Sequence, residues 1–377
     1  MLKVMTIVGT RPEIIKLSRV IDRLEHYTDH VLVHTDQNYD YELNGIFFQE
    51  MGLKKPKYSL NVAGKTPVET IANVLIKSDE VLRKEKPDAV LIYGDTNSCL
   101  SALSAKRLKI PVFHMEAGNR CFDQRVPEEI NRRLVDHISD INLTISEHAR
   151  RYLLREGIPG ETVFKVGSCM KEVLDFYRKD IDDSNILQKF GLSEKDYFVV
   201  SIHREENIDS DRCFRDLINS LNVLAKTYRK KILVSTHPRT RKKIQQFAPA
   251  LFQPEIIWSK PLGFFDYVKL QTHASCVLSD SGTLTEEAAL LGFPAVALRQ
   301  AHERPEGMDS GITILSGPRA ERVLQSVFAA VGMAAEKNTG FNSVPDYEIP
   351  NVSDKVVKII LSYTDYVRRT IWREDDV

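Results

Sequence analysis

The feature that most constrains the fold is a repeated alternation of a short apolar run, a polar turn and a helix-forming stretch. Val4–Val8, Asp88–Tyr93, Tyr197–Ile202 and Cys276–Leu278 each end in such a turn. Continuous apolar runs are typical of parallel strands that are buried on both faces. Strands that alternate with helices indicate βαβ units. The sequence therefore predicts an α/β protein built on doubly wound parallel sheets.

The alternation is interrupted once, near Arg178–Asn185, where charge rises and apolar periodicity stops. Such a change is typical of a domain boundary. The 377 residues are enough for two domains with sizeable cores. We expect an N-terminal domain over 1–180 and a C-terminal domain over 181–352. A last helix over 353–372 is long enough to pack back on the first domain.

The net charge and the spacing of the cysteines argue against some classes of function. Formal net charge is zero at pH 7, and no basic stripe indicates a nucleic-acid partner. The five cysteines have no Cys-x-x-Cys spacing, a pattern typical of a reducing compartment without a zinc site. No signal peptide is recognisable, and no apolar run approaches the ~20 residues of a membrane helix. We expect a cytoplasmic protein with no membrane partner.

Two candidate carboxylates follow predicted strands. Asp95 comes after Asp88–Tyr93, and Glu116 comes shortly after the apolar run Ile110–Phe113. In α/β proteins, ligands bind at the carboxyl ends of strands. An aspartate after a strand is also an ordinary loop residue, so both interpretations of Asp95 stay open.

A charged helix begins just after this second strand end. Pro127 suits a first helical turn, and Glu128 and Glu129 lie where the helix dipole favours negative charge. A spacing of four places Glu128 with Arg132, and Glu129 with Arg133, on one face. These residues form either an ordinary capped helix with surface ion pairs or part of an active site.

The turn from the first strand to the first helix is a candidate anion site. Thr10 and Glu13 have the spacing of a capping box. A glycine turn at a helix start, with Arg11 and Lys16 nearby, suits an anion. A plain βα connection with a good cap explains the same residues equally well.

A similar turn, Ser281–Thr283, opens a helix in the second half. Backbone N–H groups at a helix start form a phosphate site, and Gly282 would let the phosphate approach the backbone. Glu287 lies one turn further on, where its oxygens can hold ribose hydroxyls. The threonine of this turn and Glu286 have capping-box spacing, so a structural cap is the alternative. His203, after another strand, can orient a phosphate or act as an acid.

Seven short motifs, in this order, are similar to those of the non-hydrolysing UDP-N-acetylglucosamine 2-epimerase family. They span nearly the whole chain: Gly9-Thr10-Arg11-Pro12-Glu13, Gly94-Asp95-Thr96, His114-Met115-Glu116-Ala117-Gly118, Pro127-Glu128-Glu129-Ile130-Asn131-Arg132, His203-Arg204-Glu205, Asp280-Ser281-Gly282 and Glu303-Arg304-Pro305-Glu306. The resemblance implies two Rossmann-like domains that face each other across a cleft, as in B-type glycosyltransferases.

The resemblance also implies a reaction. UDP is eliminated in the anti sense to give a 2-acetamido-glycal, and is then added back with inversion at C2, without a metal or redox cofactor. The implied partners are a UDP-N-acetyl sugar and a second copy of the chain in a homodimer. The implied catalytic residues are Asp95, Glu116, Glu128, Lys16 and His203. The implied residues for UDP and its diphosphate are Arg11, Arg132, Ser281, Gly282, Thr283 and Glu287. Which carboxylate removes the C2 proton stays open.

The chain departs from the UDP-N-acetylglucosamine branch in several places. The loop Asn119–Val126 is shorter, Glu205 stands where that branch has arginine, and Thr283 stands where it has glycine. Asn119–Phe122 and Gly167–Val173 instead resemble capsule and O-antigen enzymes. Those enzymes convert UDP-2-acetamido-2,6-dideoxy-L-talose to UDP-N-acetyl-L-fucosamine, and we expect that activity here.

Three alternatives remain. One is a UDP-N-acetylglucosamine 2-epimerase that forms the manno sugar. The others are a retaining glycosyltransferase of similar fold and an inactive UDP-sugar-binding protein. We also expect weak or absent activation by UDP-N-acetylglucosamine, because the loop Gln37–Asp40 lacks the Gln-His residues usual at a second sugar site.

Overall fold

The chain forms two compact α/β units. The computed structural model describes residues 1–37, 45–247, 253–336 and 343–374. The first unit consists of Met1–Asp175 and Asp346–Val377, and the second of Phe176–Pro345. Within the described residues each unit has one parallel sheet, seven-stranded in the first and six-stranded in the second. The predicted fold class, two Rossmann-like units with parallel sheets, is confirmed.

The elements of the first unit follow the predicted alternation. Its strands are β1 (Lys3–Val8), β2 (Asp29–His34), β3 (Tyr58–Ser59), β4 (Ala89–Tyr93), β5 (Val112–Met115), β6 (Ile141–Thr144) and β7 (Val163–Lys165). Its helices are α1 (Arg11–Tyr27), α2 (Gly45–Glu50), α3 (Pro67–Glu85), α4 (Ser101–Arg107), α5 (Pro127–Ile138), α6 (Glu147–Arg155) and α7 (Met170–Phe176), which leads into the second unit.

The second unit repeats the plan. Its strands are β8 (Tyr197–Ile202), β9 (Lys231–Thr236), β10 (Ile256–Ser259), β11 (Cys276–Ser279), β12 (Ala295–Ala297) and β13 (Ile314–Leu315). Its helices are α8 (Arg178–Asp182), α9 (Ile186–Phe190), α10 (Glu205–Ile208), α11 (Asp211–Tyr228), α12 (Pro238–Ile244), α13 (Phe264–His273), α14 (Leu284–Leu291), α15 (Pro305–Asp309) and α16 (Ala320–Ala335). The last helix, α17 (Val352–Val367), belongs to the first unit and packs against α1.

The order of the strands in each sheet determines which loops lie next to one another at the carboxyl ends of the strands. The first sheet runs β3-β2-β1-β4-β5-β6-β7, so β1 lies between β2 and β4. Its residue Ile7 is paired with Val33 on one side and Ile92 on the other. The second sheet runs β10-β9-β8-β11-β12-β13. All the pairings are parallel, and successive strands are added on one side of β1 and β8 first and then on the other. The carboxyl ends of the strands beside such a switch point are where α/β proteins bind ligands.

Some elements differ from the prediction. The helix α16, on which Val323 and Val327 pack into the core, was not predicted. The edge strands β3 and β13 have two residues each, too few for periodicity. The helix α2 follows residues 38–44, which lie outside the described residues. No helix in the described part of the chain is long and apolar enough to cross a membrane.

Candidate active site

Glu116 lies just after β5 and accepts hydrogen bonds from two side chains of the first unit. Its backbone is left-handed, with φ of 64°, which is uncommon for a residue other than glycine and clusters at functional sites. Lys16 Nζ donates to Glu116 Oε2 at 2.7 Å, and the Tyr93 hydroxyl donates to the same oxygen at 2.6 Å. Lys16 is only 3% exposed. The cation and the hydroxyl both favour an ionised carboxylate.

Asp95, after β4, is tied to helix α5. Arg132 Nε and Nη2 each lie 2.7 Å from Asp95 Oδ2. The side-chain amide of Asn131 donates to the Asp95 carbonyl at 2.9 Å. Arg132 Nη1 also lies 3.1 Å from Glu129. The arginine that the resemblance assigned to UDP therefore bridges two carboxylates of its own unit.

The two glutamates at the start of α5 have different surroundings. Glu128 is half-buried, whereas Glu129 is fully buried. Glu129 accepts the backbone N–H groups of Cys121 at 2.9 Å and Phe122 at 3.3 Å, as well as the contact from Arg132. The predicted pair of Glu129 with Arg133 is present, at 3.4 Å. Glu129 is not a surface residue, however, and it also fixes the loop that precedes its own helix.

That loop presents one buried and one exposed apolar side chain. Cys121 is buried, with its thiol 3.4 Å from Glu129. Phe122 is 63% exposed and packs edge-on against Tyr152 of α6 at 5.3 Å between ring centroids. The neighbouring Arg120 is buried and points away from solvent toward Asp136. Of Cys121 and Phe122, only Phe122 presents a solvent-facing surface.

Glu13 does not form the predicted capping box and instead connects two turns of the first unit. Thr10 makes no side-chain capping bond to the helix, so the expected capping box does not form. Glu13 is 2% exposed and accepts from Gly9 N at 2.7 Å, Thr10 Oγ1 at 2.8 Å, Thr96 Oγ1 at 2.6 Å and Ser98 Oγ at 3.0 Å. Burial raises its pKa to about 7, against the opposing effect of these donors. Glu13 thereby links the turn after β1 to the turn after β4, which sequence spacing could not reveal.

In the second unit, Asp280 organises the turn after β8. It is fully buried and accepts the backbone N–H groups of His203 at 3.1 Å and Arg204 at 3.0 Å. The Asn207 side chain donates to it at 3.0 Å. His203 Nδ1 lies 3.2 Å from Asp280 Oδ1. A carboxylate beside one ring nitrogen fixes the orientation of the imidazole, so His203 is held with its ring partly exposed.

Gly282 lies close to the side chain of Glu303. A Cβ added there would lie 2.3 Å from Glu303 Oε1, far inside contact distance. Glu303 is buried and accepts from Arg299 at 2.7 Å and Arg204 at 3.3 Å. Buried carboxylates need such partners. The glycine that was predicted to admit a phosphate thus already accommodates a glutamate from the loop after β12.

The helix that follows begins where the sequence indicated but is capped differently. Thr283 is the N-cap of α14 and makes no side-chain capping bond. Glu286 instead pairs with Arg304 at 2.8 Å, and both are buried. The predicted capping box is therefore wrong, because the glutamate is used in a long-range ion pair. Ser281 Oγ lies 3.0 Å from Thr283 Oγ1.

Two further residues of the second unit, Glu287 and Arg299, are buried and bear on the predicted UDP site. Glu287 is buried and accepts from the Gln271 side chain at 2.6 Å. Arg299 was missed by the site prediction, and its Nε and Nη2 have no hydrogen-bond partner among the described residues. Buried donors without a protein acceptor are a feature of anion sites. Residues 38–40, which belong to the loop on which the prediction about activation depended, lie outside the described residues, and so does the Glu205 side chain.

Comparisons by sequence and by structure both find similarity to UDP-N-acetylglucosamine 2-epimerases. The chain matches the family model described as UDP-N-acetylglucosamine 2-epimerase over residues 22–361. The structure of UDP-N-acetylglucosamine 2-epimerase from Rickettsia bellii is 54% identical, with 99% of this chain and 100% of that chain covered and a TM-score of 0.92. The Methanocaldococcus jannaschii UDP-GlcNAc 2-epimerase in complex with UDP-GlcNAc and UDP is 36% identical, with coverage of 96% and 100% and a TM-score of 0.89.

A third relative acts on another sugar. The UDP-2,3-diacetamido-2,3-dideoxy-D-glucuronate 2-epimerase of Pseudomonas aeruginosa is 33% identical over 337 residues, which cover 88% of this chain and 93% of that protein. The similar proteins therefore share an epimerisation at C2, while the sugar named differs among them.

Proposed function

We propose, from the premise that this chain belongs to the UDP-N-acetylglucosamine 2-epimerase family, that it inverts C2 of a UDP-N-acetyl sugar by eliminating and re-adding UDP. The chain is accordingly an isomerase of UDP-sugars. The observation that carries the mechanism is the ion pair at the end of β5 between the buried Lys16 and the partly exposed Glu116. A positioned, ionised carboxylate is what removal of a weakly acidic C2 proton requires.

The first half of the reaction is an elimination. Glu116 takes the C2 proton, the electron pair of the C2–H bond becomes the C1–C2 double bond, and the C1–O bond to UDP breaks. Readdition then delivers a proton to the opposite face of C2 and returns the UDP oxygen to C1. Asp95 and Glu128 are the candidates for this second proton transfer. The sequence of steps is redox-neutral and consumes no other reactant.

The second unit supplies the groups suited to UDP. Departing UDP gains negative charge, and donors aimed at that charge lower the barrier. The turn Ser281–Thr283, the oriented His203 and the arginines Arg204 and Arg299 are such donors. Glu287 remains the candidate for the ribose hydroxyls. We assign Arg11 to the diphosphate on the resemblance alone, and we assign Arg132 to the orientation of Asp95 because of their 2.7 Å contact.

For the sugar, we propose UDP-2-acetamido-2,6-dideoxy-L-talose, which gives UDP-N-acetyl-L-fucosamine. The support is the loop Asn119–Val126, whose sequence resembles the enzymes that form this product and whose Phe122 offers an apolar surface. The second candidate is UDP-N-acetylglucosamine, favoured by the names of the relatives. We further propose a cytoplasmic homodimer that supplies capsule or O-antigen synthesis, supported by the resemblance.

The ratio of kcat/KM for the two substrates tests this choice. We expect the 6-deoxy-L-talo sugar to be preferred, because a surface suited to a methyl group offers a 6-hydroxyl no partner. An apolar pocket rejects an added hydroxyl only by about 10², so side activity on UDP-N-acetylglucosamine is expected. Steady-state kinetics with both substrates measures the ratio. A ratio below one would make UDP-N-acetylglucosamine the substrate, and binding without turnover of either would favour the inactive binding protein.

A further inference from the structure

A tyrosine at the end of β4 reaches the glutamate at the end of β5. Tyr93 is the last residue of β4 and lies opposite Met115 in the parallel register. The Gly94 N–H donates to the Met115 carbonyl at 2.9 Å, so the ladder continues to the residue before Glu116. From this position the Tyr93 hydroxyl donates to Glu116 Oε2 at 2.6 Å. Tyr93 itself is 3% exposed.

The same carboxylate oxygen receives two different donors. Lys16 Nζ lies 2.7 Å from Glu116 Oε2 and 5.5 Å from the centre of the Tyr93 ring. An ammonium is a compact charge on a flexible stem and imposes little direction. A buried phenol at the end of a strand has only two side-chain torsions, so its hydroxyl is fixed in space. Lys16 therefore provides the positive charge beside the carboxylate, and Tyr93 fixes the orientation of the carboxylate.

The backbone conformation of Glu116 restricts the orientation of its side-chain carboxylate. A non-glycine residue in the left-handed region keeps that conformation only where its surroundings over-determine it. Glu116 has φ of 64°, and its side chain is held at Oε2 by donors from α1 and β4. Rotation of the carboxylate would break both contacts. The tyrosine and the lysine together therefore determine where the second oxygen, Oε1, points.

We propose that Tyr93 is a positioning residue for the epimerisation, and that its hydroxyl holds Glu116 in the orientation that removes the C2 proton. This inference rests on the proposed function. A buried tyrosine hydroxyl usually has a partner for structural reasons alone, and Tyr197 is such a case: it is fully buried and donates to the Leu270 carbonyl at 2.7 Å. Tyr93 differs because its acceptor is the candidate base.

The two tyrosines make a matched experiment, Tyr93→Phe against Tyr197→Phe. Each substitution removes one buried hydroxyl and keeps the ring. For Tyr93→Phe we expect kcat to fall by about 10²-fold, the size of effect that a small displacement of a catalytic group produces. The Kd for UDP is expected to stay unchanged. The acidic limb of the kcat/KM profile is expected to move to higher pH, because a donor that favours the ionised carboxylate is gone. Tyr197→Phe should leave kcat and the pH profile as in the wild type.

Each outcome of this experiment either supports or overturns the positioning role of Tyr93. Normal kcat and an unmoved acidic limb in Tyr93→Phe would overturn the positioning role, and so would equal losses of kcat in both variants. Thermal unfolding of both variants, measured in parallel, identifies a loss of folded protein, and the pH profile of the folded fraction still reports on Glu116. Wild-type turnover is measured first with both UDP-sugars. Its absence overturns the proposed function and this inference together, whereas wild-type turnover with a normal Tyr93→Phe variant overturns this inference alone.

Discussion

Glu116→Gln is expected to lower kcat by about 10²–10⁴-fold, the range for loss of a general acid or base, with little change in UDP affinity. The amide is close in shape to the carboxylate but cannot take a proton, and it loses the ion pair with Lys16. UDP contacts are assigned to the second unit, so binding is expected to survive. We expect losses in the same range for Asp95→Asn and Glu128→Gln.

Steady-state kinetics and calorimetric titration with UDP measure the two quantities separately. Glu161→Gln, an exposed carboxylate of the same unit, is the matched control and should behave as the wild type. Ser281→Ala should show the opposite pattern, a modest loss of UDP affinity with kcat preserved, because backbone N–H groups remain. Near-normal turnover in Glu116→Gln would show that Glu116 is not the base.

Arg120→Met is expected to destabilise the fold by about 3–5 kcal/mol, the cost of breaking a buried ion pair from one side. The Arg120 guanidinium is fully buried, 2.7 Å from Asp136 and 2.6 Å from Glu156. Burial by itself would raise the pKa of Asp136, but the His114 imidazole and the Arg120 charge hold that pKa below its ordinary value. Without the arginine, the buried Asp136 carboxylate loses a hydrogen-bonded cation at 2.7 Å.

Arg125→Met, in the same loop, is the matched control. Its side chain is 74% exposed, and it pairs with Asp123 at 2.6 Å. Exposed pairs contribute about 0–1 kcal/mol, so unfolding by urea should give a nearly unchanged free energy for this variant. Equal free energies of unfolding for the two variants would contradict the importance assigned to burial.

Local patterns were sufficient to predict the scaffold. The apolar runs at β1, β4, β8 and β11 each become a buried parallel strand, and the polar turns after them lie at the switch points. The pattern depends on neighbours along the chain, which a sequence displays directly. The helix α16 was missed, although Val323 and Val327 on it pack into the core.

The pairings within the site could not be predicted in the same way. Lys16 and Glu116 are a hundred residues apart in sequence, and only the strand order β1-β4-β5 brings them together. Gly282 and Glu286 were interpreted through nearby residues, whereas their partners, Glu303 and Arg304, come from the loop after β12. Local spacing identified which segments carry chemistry, and long-range contacts decided what each side chain does.

The most direct test of the central claim is the fate of the C2 hydrogen. Wild-type enzyme is incubated with each UDP-N-acetyl sugar in heavy water, and the product is followed by proton NMR. Elimination breaks the C2–H bond to a carboxylate that exchanges with solvent, so we expect epimerised product with deuterium at C2, together with traces of UDP and glycal. Epimerised product that retains its original C2 hydrogen quantitatively would contradict the elimination mechanism.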